Sequence, residues 1–294
     1  MVKKSNRHEA FPLITKPLSD LLRLPIGKVD LTAFDPAATP GFPGGKQDAT
    51  AITEALAPEL SDLQERLFAN GRVDESATQK ILVVLQGMDT SGKGGVIRHA
   101  IGMVDPQGVK IKAFKAPTEE ERAYHYLWRV ERELPPPGLI GIFDRSHYED
   151  VLVVRVNNLV EKSVWGQRYE EIDAWEDDLV ERGLVLIKCF LNISPGKQRE
   201  RLLARLDDPT KHWKYNPGDV AERAKWPAYM EAYHAALERC NTERAPWYVI
   251  PSDRKWYRNW AVAQLLVEHL RALDLRWPAA DFDVELEKAR VAAS

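Results

Sequence analysis

The chain has 294 residues, which is enough for one large α/β domain or two smaller ones, and its 44% hydrophobic residues are enough to bury a core. A formal charge of −3 at pH 7 gives no basic excess to attract a phosphate backbone, which argues against a nucleic-acid-binding protein. Only two cysteines are present, which fits a reduced compartment and excludes a metal centre built on thiolates.

Targeting and membrane signals are absent from the sequence. Lys3, Lys4 and Arg7 are followed by no apolar stretch of signal-peptide length, and nowhere do 18 apolar residues occur in succession. We therefore expect a soluble cytoplasmic protein with no membrane partner.

The first third of the chain predicts an arm, a helix and a strand. Residues 1–47 contain many prolines and glycines and predict an extended arm that lies on the domain. Apolar residues at helical spacing predict one helix from Asp48 to about Asn70, with Gly71 as its stop. The run of β-branched and apolar residues at 81–85 predicts a buried strand.

A glycine-rich segment, Gly87–Gly95, follows this strand and precedes a helix. This order predicts a phosphate-binding loop, because glycines let backbone N–H groups close around phosphate oxygens and the helix start adds partial positive charge. A glycine-rich turn without a ligand is the disfavoured alternative. The residues expected at phosphate are Gly87, Thr90, Ser91, Gly92, Lys93, Gly94, Gly95 and Arg98.

The loop departs from the usual pattern at one position. Gly94 stands directly after Lys93, where a hydroxyl side chain usually ligates Mg²⁺. If the site uses a metal, other oxygen atoms must bind it, and Asp89 lies inside the loop. A carboxylate among phosphates repels them unless a cation or a proton transfer is involved, so Asp89 is the first candidate ligand.

A second acidic group is predicted at the end of another strand. After a strand at 109–114 and a helix from about Thr118 to Glu133, an apolar strand at 139–144 ends in Asp144. Carboxyl ends of parallel strands converge on one crevice, so we expect Asp144 to face the metal. The next residues, 145–150, combine a cation, hydroxyls, an imidazole and two carboxylates, which favours a functional turn over a structural one.

The last third predicts a cationic lid and the end of the core. A helix at about 166–182 and a strand at 184–191 precede a helical hairpin at about 201–228, which should close over the crevice. The cations of this hairpin, Arg223 among them, favour anion binding as a group, although a solvated helix face explains any single one equally well. A final strand at 247–250 and a helix at about 255–273 complete a core that we place at 48–275, followed by a tail at 276–294.

Four motifs together resemble the polyphosphate kinase 2 family: Gly87–Gly95, 143–156, 213–219 and 245–248. The resemblance covers about residues 40–275 in the same order. It implies an α/β fold of the P-loop kinase type, with a parallel sheet sandwiched by helices and a helical lid. It also implies inorganic polyphosphate as donor, a nucleotide as acceptor, Mg²⁺ as cofactor, and a homo-oligomer such as a dimer or tetramer.

The resemblance assigns roles residue by residue. It implies catalytic roles for Asp89, Lys93, Asp144, Arg145 and Arg205, with Asp89 and Asp144 as metal ligands. It implies contacts with nucleotide or phosphate for Glu149, Asp150, Arg201 and Lys211, and the nearby Lys214 is a further candidate lid cation for phosphate. The stretch 146–153 is similar to that of the third class, which converts AMP to ADP and ADP to ATP. Members of that class often have Asn in place of Asp144, so the acceptor, AMP, ADP or a guanine nucleotide, stays open.

The residues themselves fit a reversible, direct in-line transfer that depends on charge neutralisation and alignment. His147 is not needed as a covalent carrier, although the sequence leaves a phosphohistidine intermediate open. An ATP-dependent kinase for a nucleotide or small metabolite is the main alternative. A non-catalytic regulator is disfavoured, because Asp89 and Asp144 would weaken phosphate binding unless metal chemistry used them.

Overall fold

A computed structural model describes residues 16–294, and its centre is one sheet of five parallel strands in the order β2-β3-β1-β4-β5. The strands are β1 (Lys80–Gln86), β2 (Val109–Ala113), β3 (Ile140–Asp144), β4 (Leu184–Asn192) and β5 (Trp247–Pro251). All five predicted strands are present, each within two residues of its predicted ends. The α/β prediction is confirmed.

Helices cover both faces of the sheet. The described residues, 16–294, form the α-helices α1 (Leu18–Leu22), α2 (Ala49–Glu54), α3 (Ala57–Val73), α4 (Lys93–His99), α5 (Glu119–Arg122), α6 (Trp128–Glu131), α7 (Val153–Val156), α8 (Lys162–Glu181), α9 (Pro195–Leu206), α10 (Gly218–Ala224), α11 (Trp226–Arg239), α12 (Lys255–Ala272) and α13 (Val284–Ala292). Short 3₁₀ helices occur at 31–33, 46–48, 101–103, 106–108, 147–150 and 209–214.

Two hydrophobic cores lie on opposite faces of β1, because successive side chains of a strand point to opposite sides. Ile81, Val83 and Leu85 pack with α1, α2, α3, α4 and α12 on one face. Leu82 and Val84 pack with α8 and α11 on the other. Helices thus sandwich the sheet, as predicted, and the carboxyl ends of the strands stay free to build a site.

The N-terminal segment packs tightly against the core. Residues 1–15, which include Lys3, Lys4 and Arg7, lie outside the described part of the chain. The prediction of an extended arm is wrong at Leu18–Leu22, where α1 buries two leucines. Glu268 of α12 stabilises the start of α1 by accepting the backbone N–H groups of Leu18 and Ser19 at 2.8 and 2.9 Å.

Two predicted long helices are each interrupted. The predicted helix from Asp48 to Asn70 is divided into α2 and α3, because Pro58 lies in the first turn of α3 and favours a new helix start. Gly71 does not end α3: a Cβ atom there would lie 2.5 Å from the Cα atom of Gly138, so close packing requires glycine.

The predicted helix from Thr118 to Glu133 consists of α5 and α6 with a turn between them. The predicted capping box is confirmed, with the Thr118 hydroxyl accepting the N–H of Glu121 at 3.1 Å. The segment 118–126 is largely exposed, so it lacks the buried apolar stripe that would stabilise one longer helix.

The C-terminal end also differs from its prediction as a plain tail. It carries α13, whose N-cap Asp283 accepts the N–H groups of Glu285 and Leu286. No residue of α13 is buried. Of the helices formed by residues 16–294, none combines the length and apolarity needed to cross a membrane.

Candidate active site

The predicted phosphate-binding loop joins β1 to α4 and has an unusual backbone. Gly87, Thr90 and Gly92 have positive φ angles of 149°, 64° and 110°. A Cβ atom on Gly87 would lie 2.8 Å from the carbonyl oxygen of Leu191, so the tight turn requires glycine there. Within the described residues, the N–H groups of Thr90, Gly92 and Lys93 donate to no backbone acceptor. Such N–H groups are available to phosphate oxygens.

Lys93 is buried at the start of α4. Its ammonium donates to the carbonyl oxygen of Gly87 at 2.9 Å. Burial lowers the pKa of Lys93, and the negative charge of Asp144 opposes this shift. The lysine therefore lies between the loop and the acidic end of β3.

The structure brings Asp89, Asp144 and Arg145 together, as the sequence predicted. Asp144 is paired with Leu85 of β1, two residues before the loop begins at Gly87. Arg145 has a φ angle of 65°, and its Nη2 donates to Asp89 Oδ1 at 3.0 Å. Burial lowers the pKa of Arg145, but the charges of Glu149 and Asp89 outweigh it and raise the pKa overall. A permanent cation thus lies beside the loop.

The donor set fits a hard divalent cation bound together with substrate. In the described part of the chain, no group of three or more His, Cys, Asp or Glu side chains could hold a metal by itself. Asp89 and Asp144 supply carboxylate oxygens at the phosphate-binding loop, and phosphate and water oxygens would complete the coordination. Mg²⁺ is commonly held in this way.

A cleft of about 650 Å³, its open mouth included, lies next to these groups. Its lining residues are Gly87, Met88, Asp89, Arg145, Glu149, Val153, Asn157, Gln198, Glu222, Arg223, Tyr229 and Tyr233. The last five come from α9, α10 and α11, and of these the sequence analysis singled out only Arg223, as one of the lid cations expected to meet phosphate. They form no contiguous motif and meet only because these helices pack over the carboxyl end of the sheet.

Hydrogen bonds connect the far wall of the cleft to the loop. Gln198 Nε2 donates to the carbonyl oxygen of Asp89 at 3.1 Å, and its Oε1 accepts from Arg223 at 2.7 Å. Glu222 accepts from the hydroxyl of Tyr229 at 2.5 Å and from Lys225 at 2.8 Å. Arg223 of the predicted lid segment is thereby linked to the phosphate-binding loop through Gln198.

Glu149 is half-buried at the base of the cleft. Burial raises its pKa, although Arg145 and Lys93 oppose the shift. The Gln86 amide, oriented to satisfy both neighbours, donates to Glu149 Oε1 at 3.1 Å and accepts from the Ser146 hydroxyl at 3.0 Å. Glu149 also lines the cleft, and its contact with substrate stays a prediction.

Three predicted contacts lie elsewhere. Asp150 Oδ1 accepts from Arg168 of α8 at 3.0 Å, and Asp150 does not line the cleft. Arg98 is exposed in the last turn of α4, also outside the cleft. Arg201 is buried against backbone carbonyl groups and cannot swing as a lid cation would without losing them.

The other lid cations make contacts within the lid. Arg205 donates to the carbonyl oxygen of Lys214 at 2.9 Å and lies 3.6 Å from an oxygen of Asp219. Lys211 pairs with Asp208 at 2.5 Å. Lys214 lies over the ring of Trp213 at 4.8 Å. These residues are exposed or nearly so, and their contacts with phosphate stay predictions.

A buried ionic cluster supports the turn that carries Arg145 and Glu149. Glu176 of α8 accepts from Lys188 at 2.5 Å and from the hydroxyl of Tyr148 at 2.8 Å. His147 Nε2 lies 3.1 Å from the same carboxylate, and its ring is fully buried. This burial favours a structural role for His147 over that of a phosphate carrier.

Comparisons with known proteins agree with this geometry. Residues 46–277 match the family described as Polyphosphate kinase 2 (PPK2). An AMP/ADP-polyphosphate phosphotransferase from Meiothermus ruber is 48% identical over 254 residues, 86% of this chain and 93% of that protein. An ADP-polyphosphate phosphotransferase from Rhodopseudomonas palustris is 37% identical over 263 residues, 85% and 89% of the two chains.

A solved structure has the same fold. Polyphosphate Kinase 2 from Arthrobacter aurescens TC1 superposes with a TM-score of 0.92 at 47% sequence identity, and the match covers 96% of this chain and 99% of that one. The parallel sheet between helical layers is therefore shared with a structure of closely related sequence.

Proposed function

Since the chain belongs to the polyphosphate kinase 2 family, we propose that it transfers the terminal phosphoryl group of inorganic polyphosphate to a nucleotide. The observation that carries this proposal is the convergence of Asp89, Lys93 and Arg145 on one loop of the P-loop kinase fold. The names of the relatives from Meiothermus ruber and Rhodopseudomonas palustris support polyphosphate as the donor.

The charges of the site suit an in-line transfer between two phosphate groups. Two polyanions repel each other, so the main task is to neutralise and align them. Lys93 and Arg145 would stabilise negative charge on the transferred group, and the loop N–H groups would bind its neighbour. The attacking oxygen belongs to a nucleotide phosphate that is already ionised, so no general base is required.

We further propose that Mg²⁺ is the cofactor and that Asp89 and Asp144 are its protein ligands. The ion would supply charge neutralisation between the phosphate groups of the two substrates. Arg145 already contacts Asp89, so it would orient that carboxylate toward the metal.

The acceptor is proposed to be AMP as well as ADP. The relative from Meiothermus ruber carries both nucleotides in its name and matches over most of both chains. Guanine nucleotides are a further candidate. We also propose a homo-oligomer that works in the cytoplasm, where the free thiols of Cys189 and Cys240 would stay reduced.

We retain the domain organisation of the sequence analysis as part of the proposal. The core would span 48–275, with a lid at about 201–228 that includes the end of α9 and all of α10. Gln198 contacts both Asp89 of the loop and Arg223 of α10, and these contacts support a lid whose position is coupled to the phosphate-binding loop.

The test is phosphoryl transfer by purified protein with Mg²⁺ and long-chain polyphosphate, with AMP and ADP in separate tubes and no ATP. A tube with ADP but no polyphosphate controls for contaminating adenylate kinase. We expect ATP from ADP, and ADP followed by ATP from AMP. Product from ADP alone would reject AMP as acceptor. No product from either, with transfer from ATP to another acceptor, would favour the ATP-dependent kinase.

A further inference from the structure

Two buried arginines contact the phosphate-binding loop through its carbonyl groups. Arg201 of α9 donates to the carbonyl oxygens of Thr90 at 2.8 Å and Ser91 at 3.2 Å, and also to those of Ser252 and Asp253. Arg258 of α12 donates to the Ser91 carbonyl oxygen at 2.9 Å. The two guanidinium groups therefore meet at the carbonyl oxygen of Ser91.

Neither of these two positive charges forms a salt bridge. Among residues 16–294, no Asp or Glu oxygen lies within 4.0 Å of either guanidinium group, although the charges of Asp253 and Glu200 act on Arg201 from farther away. Burial and the neighbouring charge of Arg201 lower the pKa of Arg258 to about 9, so it stays protonated at neutral pH. Buried cations without an opposite charge are costly, and carbonyl dipoles offset only part of this cost.

The glycine pattern of the loop is adapted to Arg258. A Cβ atom on Gly92 would lie 1.8 Å from Arg258 Nη1, and one on Gly95 would lie 2.5 Å from Nη2. A Cβ atom on Gly94 would meet nothing within 4 Å. A side chain at Gly92 or Gly95 would therefore displace the packed guanidinium group, whereas one at Gly94 would not.

Holding a carbonyl group also orients the next N–H group, because a trans peptide is planar and its C=O and N–H point in opposite directions. With the Ser91 oxygen held by Arg258 and Arg201, the N–H of Gly92 points away from both arginines. That N–H donates to no backbone acceptor in the described residues. It is free to bind an anion on the opposite side of the loop.

We propose that Arg258, with Arg201, is a positioning residue that holds the Ser91 carbonyl group so that the Gly92 N–H points at a bound phosphate. A bound phosphate chain would add negative charge close to these two arginines, which make no salt bridge of their own. This inference rests on the proposed use of polyphosphate, and Arg258 acts through the loop without touching the reacting atoms.

The experiment compares Arg258→Met and Arg258→Lys with Arg254→Met, which removes an exposed arginine of the same turn. Three quantities are measured on folded protein: kcat and KM with ADP and polyphosphate, and the rise in Tm caused by tripolyphosphate without nucleotide. We expect Arg258→Met to lower kcat by about 100-fold, the scale of an ångström-sized misplacement at a reacting centre, and to lose most of the Tm rise. Arg254→Met should stay within about twofold of wild type, the change of an ordinary surface substitution.

The lysine variant separates charge from geometry. An ammonium restores the charge but not the planar fork of a guanidinium, so Arg258→Lys should recover little activity. Full recovery by lysine, or a wild-type Tm rise and kcat in Arg258→Met, would overturn the proposal. If Arg258→Met does not fold, Gly95→Ala displaces the guanidinium without removing its charge and should cause the same two losses. Inactive wild type with an intact Tm rise would instead contradict the proposed function.

Discussion

Lys188 and Glu176 form a buried ion pair, and its surroundings allow the loss of stability in a Lys188 variant to be predicted. Lys188 is fully buried on β4 and donates to Glu176 at 2.5 Å, to the Cys240 carbonyl oxygen at 2.7 Å and to the Tyr148 hydroxyl at 3.1 Å. In Lys188→Met, the methionine side chain is similar in length to lysine, but the Glu176 carboxylate stays buried without its positively charged partner. Removing one partner of a buried ion pair costs about 3–5 kcal/mol, and we expect a loss in this range at pH 8.

The loss should also depend on pH. In the wild type, burial raises the pKa of Glu176, but Lys188 and His147 outweigh it, so the net pKa is lowered. A lowered pKa stabilises the fold above the unfolded value, and this stability is lost as pH falls through the folded pKa. Without Lys188 the pKa should be raised, so the variant loses stability as pH rises through the new folded pKa.

Urea unfolding at pH 8 and pH 4.5 measures both effects, and Glu176→Gln combined with Lys188→Met is the control. We expect the single variant to be much less destabilised at pH 4.5 than at pH 8, relative to wild type at each pH. The double variant should recover part of the loss, because it buries no unpaired charge. Either of two results would refute the reasoning. One is a loss of unfolding free energy below about 1 kcal/mol at pH 8, which is the size of an ordinary substitution, and the other is an equal loss at both pH values.

Three further predictions concern other parts of the chain. Burial and the charge of Glu176 raise the pKa of Asp173 to about 6, so the ionisation of Asp173 destabilises the fold as pH rises through 6. Asp173→Asn should therefore raise the free energy of unfolding at pH 8 by about 1 kcal/mol, after allowance for solvent screening, and should change it little at pH 4.5 in urea unfolding. Gly94→Ala should stabilise the protein by roughly 0.5 kcal/mol because α4 has open space there, whereas Gly95→Ala should destabilise it in the same thermal or urea unfolding assay. Arg205→Ala should weaken polyphosphate use and flatten its dependence on salt, and salt responses that superimpose on the wild type would place Arg205 outside the donor path.

The sheet could be predicted from sequence because buried parallel strands are nearly continuous apolar runs. The loop and Asp144 were predicted for a related reason: both lie directly after such runs, where the strand ends converge. The interrupted helices were missed because their breaks depend on tertiary packing. Segment 118–126, for example, has polar caps typical of a helix but no core to cover.

Arg258 shows why part of the site escaped sequence reasoning. It contacts Ser91, 167 residues earlier in the chain, and nothing local to α12 distinguishes it from a surface arginine. Tyr229 and Tyr233 could not be recognised from the sequence either, because their helical spacing is typical of core residues although both line the cleft. The order of the elements does indicate that the start of α12 lies near the phosphate-binding loop, because α12 begins after the carboxyl end of β5 and the loop follows the carboxyl end of β1 in the same parallel sheet.

Phosphoryl transfer is expected to take place at the loop Gly87–Gly95. The most direct measurement is kcat for ATP formation from ADP and polyphosphate in Lys93→Ala and Asp89→Ala, with Lys288→Ala on the exposed helix α13 as control. We predict that each loop variant is folded and at least ~100-fold slower, the scale of losing one preorganised charge contact, while the control matches the wild type. Near-normal turnover in one loop variant would contradict the role assigned to that residue. Near-normal turnover in both variants would mean that the transfer takes place elsewhere in the protein.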